Sequence, residues 1–87
     1  MKKIIIFGAG QSGAVALIHL HRENVAYFCD NRRSMDGKYK YGVKIISFER
    51  MLEILDNHIL LIGANDGNAV EMAAQLETTG VVDYVFY

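Results

Sequence analysis

Apolar positions in this chain come in short unbroken runs separated by glycine-rich or polar turns. Lys3–Phe7 is such a run, the pattern of a strand covered on both faces. It breaks at Gly8, and Ala14–Arg22 then places Ala14, Leu17, Ile18 and His21 on one side at i, i+3, i+4, i+7 spacing, which predicts a helix. Val25–Cys29 is a second strand, β-branched and aromatic, ending at Asp30. Asn31–Tyr41 is polar and basic, with Asp36-Gly37 as a turn signal, and reads as a mobile loop. Val43–Ile46 predicts a third strand, and Ser47 an N-cap for a helix over Phe48–Asp56. His58–Ile62 predicts a fourth strand, Gly63–Asn68 a second polar turn, Val70–Thr78 a third helix stopped near Gly80, and Val82–Phe86 a last strand.

Strands alternating with helices imply parallel pairing through right-handed crossovers. The fold class is therefore α/β: three layers around a parallel sheet of about five strands, in the order 3-2-1-4-5. Residues 1–87 are expected to form a single domain of a longer protein. The last strand is an apolar sheet edge, an aggregation hazard unless covered. Either the rest of a parent chain or a second copy in a homodimer is expected to cover it.

Composition narrows the function classes. With 52% hydrophobic and 22% charged residues the chain is not a disordered one. A net charge of −1 removes the general electrostatic case for binding nucleic acid or an anionic membrane. No apolar run approaches the roughly 18 residues of a membrane span. The lone Cys29 cannot close an internal disulfide, so the expected compartment is a reducing cytoplasm.

Gly8-Ala9-Gly10-Gln11-Ser12-Gly13 fits G-x-G-x-x-G, with a strand before it and a helix after it. Gly8 permits the turn off the strand, Gly10 lets a phosphate approach the backbone, and Gly13 lets the helix pack on the strand. Unpaired amides at a helix start favour an anion, and Ser12 could add a hydroxyl. Asp30, twenty residues beyond Gly10 at the end of the second strand, stands where a carboxylate accepts from a ribose diol. The plain alternative is a tight turn and a strand cap with no ligand. Asn31, Arg32 and Arg33 follow; the arginines could meet ligand phosphates or simply be solvated. Gly63, Ala64 and Asn65 follow the fourth strand and would line the same crevice, with Asn65 or Asp66 contacting a sugar, or Asp66 or Asn68 capping the third helix.

No catalytic constellation emerges. Ser12 lacks a nucleophile elbow. His19, His21 and His58 lack metal-ligand spacing, Cys29 reads as a buried small hydrophobe, and Glu49, Glu53 and Asp56 as a solvated helix face.

The whole chain resembles the small Rossmann-like domains of bacterial surface-polysaccharide proteins, on four motifs: Ile6-Phe7-Gly8-Ala9-Gly10, Phe28-Cys29-Asp30-Asn31, Gly42-Val43-Lys44-Ile45-Ile46-Ser47 and Ile62-Gly63. Such domains include the N-terminal, UDP-sugar-binding domain of bacillosamine-type sugar acetyltransferases. Others are appended to glycosyltransferases, sugar methyltransferases and LicD-like phosphocholine transferases. The resemblance implies that Gly8, Gly10 and the following turn face nucleotide phosphates, that Asp30 or Asn31 lies near the ribose or base, and that Gly63 flanks the crevice. Where the acetyltransferases carry a catalytic histidine in the glycine turn, this chain has Gln11-Ser12, so their catalysis does not transfer.

The reading is a non-catalytic domain of a transferase in polysaccharide biosynthesis, binding a nucleotide or nucleotide sugar. Its alternatives are an NAD-binding fragment of an oxidoreductase, in which Asp30 favours NAD over NADP, and a ligand-free structural or dimerisation domain.

Overall fold

A computed structural model describes residues 2–87. Six strands run through it: β1 (Lys3–Phe7), β2 (Val25–Cys29), β3 (Tyr39–Lys40), β4 (Val43–Ile46), β5 (His58–Ile62) and β6 (Val85–Phe86). Three α-helices connect them: α1 (Gln11–Leu20), α2 (Phe48–Ile54) and α3 (Asp66–Thr78). The strands form one sheet in the order β3-β4-β2-β1-β5-β6. β4, β2, β1, β5 and β6 are parallel, and this part follows the order the alternation predicts. The expected count of five is corrected to six by β3, which pairs antiparallel with β4 at the edge. Its residues fall in the stretch expected to be a mobile loop.

Both faces of the sheet are covered, which is why the strands are apolar runs and not alternating. Ile5, Phe7, Cys29, Ile46, Leu60 and Ile62 point to the side of α2 and α3, where they meet Phe48, Met51, Ala73 and Leu76. Ile6, Phe28, Ile45 and Leu61 point to the other side and meet Ala16 and Leu17 of α1.

The helix toward the first crossover differs from expectation. α1 buries Gly13, Ala14, Ala16 and Leu17, while Ile18 is 69% exposed. Small residues form its contact stripe because the helix lies very close to the sheet. A Cβ on Gly13 would fall on the Gly8 carbonyl oxygen, and one on Gly63 would come within 2.9 Å of Ile6 Cγ2 and 3.1 Å of Gly13 Cα. At the far edge β6 is shorter than expected and its Val85 and Phe86 are exposed. No helix among the described residues is long and apolar enough to cross a membrane.

Candidate functional site

The turns after β1 and β5 lie side by side because their backbones continue the sheet ladder. Gly8 N donates to Cys29 O (2.7 Å) and Gly63 N to Phe7 O (2.9 Å). Gly8 takes φ +118°, a conformation open to glycine, and a Cβ there would lie 2.5 Å from Gly63 O. Both turns thus stand beyond the carboxyl ends of adjacent parallel strands, at the point where strand order reverses.

Between them opens a crevice of about 830 Å³. Gly8, Gly10, Gln11 and Ser12 line one wall, Gly63, Ala64 and Asn65 another, and Asp30, Asn31 and Arg32 a third. Ala9 and Gly13 are buried behind it. Phe7, Val15, Asn68, Met72 and Tyr87 complete the lining and were not anticipated. Asn68 and Met72 were findable: they stand three and seven residues after Asn65, on one side of a helix that begins earlier than the apolar pattern suggests.

Two helix starts face this space. α1 begins at Gln11, with Gly10 as an extended N-cap that supplies no side-chain bond. The first amides of a helix have no carbonyl partner within it, so those of Gln11 and Ser12, which line the crevice, remain available. α3 is capped differently. Asn65 Oδ1 accepts from Asn68 N (3.2 Å), so the cap is Asn65, where Asp66 or Asn68 was expected. Gly10 is distinct from the glycines around it: a Cβ built there meets nothing within 4 Å, so no packing within the domain accounts for glycine at this position.

Asp30 is where the spacing places it, but its carboxylate is engaged. Oδ1 accepts from Arg32 N (2.9 Å) and Arg32 Nε (2.8 Å); Oδ2 accepts from Ala9 N (3.0 Å) and Arg32 Nη2 (2.8 Å). A carboxylate has about four lone-pair positions, so these bonds fill it. The Arg32 side chain, expected either to meet ligand phosphate or to be solvated, instead closes on Asp30, although it is 58% exposed. Burial pushes the Asp30 pKa up. The hydrogen bonds from the Arg32 side chain and from the Arg32 and Ala9 backbone, with the Arg32 charge, outweigh it and bring the value from 3.8 down to about 2.

A depressed carboxylate pKa contributes stability that is present above the unfolded value and is lost as pH falls through the folded one. Asp30 is therefore expected to stabilise the domain above about pH 4 and to lose that contribution toward pH 2. After allowance for the exposed partner, this is on the order of 1 kcal/mol. Urea unfolding of Asp30→Asn beside the unaltered chain checks it: the gap between their midpoints should narrow from pH 6 to pH 2, and a constant gap refutes it.

Beside Asp30, Asn31 and Gln75 of α3 exchange two amide hydrogen bonds (2.8 and 3.0 Å), tying the loop after β2 across to α3. The neighbouring Cys29 is fully buried. Burial, then the charges of Asp30 and Glu49, push its thiol up to about 12, the behaviour of a packing residue and not of a nucleophile.

No protein-family model matches the chain, and no curated protein matches it. Solved structures do. UDP-D-quinovosamine 4-dehydrogenase from Vibrio fischeri superposes with a TM-score of 0.65 at 21% identity, over 92% of this chain and 73% of that one. RSP, a Rex-family repressor, superposes with a TM-score of 0.68 at 19% identity, over 99% of this chain. The fold is Rossmann-like. This chain spans 51% of the length of the repressor chain and nearly three quarters of the dehydrogenase chain. Of the four motifs behind the resemblance, the glycine turn, the end of β2 and the Ile62-Gly63 turn meet at the crevice; Gly42–Ser47 forms β4 and its flanks, away from it.

Proposed function

We propose that residues 1–87 form a nucleotide-binding domain whose ligand places its phosphates against Gly10 and the first amides of α1. The observation that carries this reading is the empty space around Gly10. Its missing side chain serves no contact inside the domain, but it opens the backbone to the crevice beside unpaired helical amides. We favour a nucleotide sugar of the UDP-sugar kind, bound by a non-catalytic module of a cytoplasmic transferase in polysaccharide biosynthesis. This extends the motif resemblance, and the similarity in fold to an enzyme named for a UDP-sugar is consistent with it. Cover for the β6 edge by a parent chain or a second copy belongs to the same proposal. NAD is the second reading. Asp30 at the end of β2 supports it, as does a fold neighbour that is by name a dehydrogenase.

Thermal denaturation against UDP, a UDP-sugar and NADH separates these. A ligand at a hundredfold excess over its Kd should stabilise the domain by about 2.7 kcal/mol. A shift with the UDP compounds alone supports the first reading and a shift with NADH alone the second. No shift with any of them leaves a ligand-free structural domain.

The filled Asp30 carboxylate yields a sharper expectation. A ribose diol can bind Asp30 only by displacing the Arg32 side chain. Asp30→Ala should weaken nucleotide binding by about 1–3 kcal/mol, as for a hydrogen bond to a charged group. Arg32→Ala should tighten it by up to about 1 kcal/mol, the worth of an exposed ion pair that no longer competes. Isothermal titration of both variants checks the opposite signs. Weaker binding by Arg32→Ala would make Arg32 a direct ligand of the nucleotide.

A further inference from the structure

β3 and β4 form a hairpin whose two-residue turn is Tyr41 (φ 51°) and Gly42 (φ 78°). Positive φ at both positions is the I′ geometry that matches the twist of paired strands. A tyrosine in the left-handed region is uncommon, so the surrounding structure must hold it there. Arg22, before β2, reaches across and donates from Nη2 to Gly42 O (3.4 Å), over the face of Gly42 that has no Cβ. At the strand end, Gly37 N donates to Ile45 O (2.9 Å) and Ile45 N to Lys38 O (2.8 Å).

This small element delivers one side chain to the glycine turn. Lys40 Nζ donates to Ala9 O at 2.8 Å, a contact between residues 31 positions apart. The other side of Ala9 is held as well, since Ala9 N donates to Asp30 Oδ2. The Ala9–Gly10 peptide is trans, so its carbonyl and its N–H point in opposite directions. Fixing the Ala9 oxygen toward Lys40 therefore turns the Gly10 N–H to the side away from Lys40. Gly10 lines the crevice and Lys40 does not.

We propose that Lys40 is a positioning residue of the phosphate-binding turn: it clamps the Ala9 carbonyl so that the Gly10 amide is aimed at the ligand. This rests on the reading of Gly8–Gly13 as an anion site. It adds that the hairpin forms part of that site although its lysine never enters the cavity. The ammonium also places a full positive charge one peptide group from the bound anion, where electrostatic attraction in a partly buried site is felt.

The test uses inorganic pyrophosphate and UDP as probes, titrated into the unaltered chain, Lys40→Met and Lys40→Arg, with the Gly10 amide followed by ¹H–¹⁵N NMR. Lys40→Met keeps a flexible apolar stem and removes the donor and the charge. It should weaken both probes about tenfold and shift the Gly10 amide in the ligand-free protein. Lys40→Arg should restore most of that affinity. Unchanged affinity in Lys40→Met overturns the proposal, and so does a weakened Lys40→Met whose Gly10 amide has not moved. If the unaltered chain binds neither probe nor NADH, the nucleotide reading itself fails. The Gly10 resonance then reports on the clamp alone.

Discussion

Gly13→Ala is expected to cost the domain a large share of its stability. The substitution is mild by the usual measures. It adds one methyl group inside a helix, where alanine is favoured over glycine by about 1 kcal/mol. The surroundings decide against it. The added carbon would land on the Gly8 carbonyl oxygen, with the Gly8 carbonyl carbon 3.0 Å away and Phe28 Cε1 at 3.4 Å. None of these is the free end of a flexible side chain. Gly8 O belongs to the turn that also abuts Gly63, so relief means lifting α1 off the sheet and opening the core around Ile6, Ala16, Leu17 and Phe28. Overpacking costs typically about 1–3 kcal/mol and more where backbone must move, so at least about 3 kcal/mol is expected here. A domain of this length has only roughly 4–13 kcal/mol in total. Circular dichroism should show the melting temperature down by about 12 °C or more, or no cooperative transition at all. A melting temperature within a few degrees of the unaltered chain would mean that α1 is not packed backbone to backbone on the turn.

The same glycine motif shows what could be read from sequence and what could not. β1, β2, β4 and β5 stand at their expected boundaries because each is an apolar run closed by glycine or a polar residue. α1 and α3 begin earlier than their apolar periodicity suggests. Their first turns are made of Gln11, Ser12 and Gly13, and of Asp66, Gly67 and Asn68, residues that carry little apolar signal and are in place for capping and close approach. β3 has only two residues, and its existence depends on a turn that puts a tyrosine at positive φ, so local propensity could not announce it. The glycine turn, Asp30 and the Gly63 turn were legible as a cluster because strand order alone brings them to one end of the sheet. The occupation of Asp30 by Arg32 depends on how three loop residues bend. The Lys40 contact joins positions that no sequence period relates.

Gly10→Val is expected to give the opposite result to Gly13→Ala: a folded protein that has lost its ligand. Gly10 has φ −90° and ψ −158°, an extended backbone conformation that any residue adopts without strain, and β-branched residues readily. Its Cβ would meet nothing within 4 Å. The domain should therefore unfold within about 1 kcal/mol of the unaltered chain, as for a surface substitution. The crevice changes much more. The isopropyl group would stand where an anion must come within about 3 Å of the Gly10 and Gln11 amides to bond them. A phosphate held off by a further carbon layer loses those charge-assisted bonds, each worth about 1.5–3 kcal/mol. Losing two of them weakens binding by roughly two to four orders of magnitude. Calorimetric titration with whichever of UDP, the UDP-sugar or NADH binds the unaltered chain, beside thermal melts of both proteins, makes the measurement. Loss of binding with an unchanged melt places the phosphates on Gly10. Retained affinity in a folded Gly10→Val protein would mean that the ligand enters elsewhere, and that the open space around Gly10 serves something other than an anion.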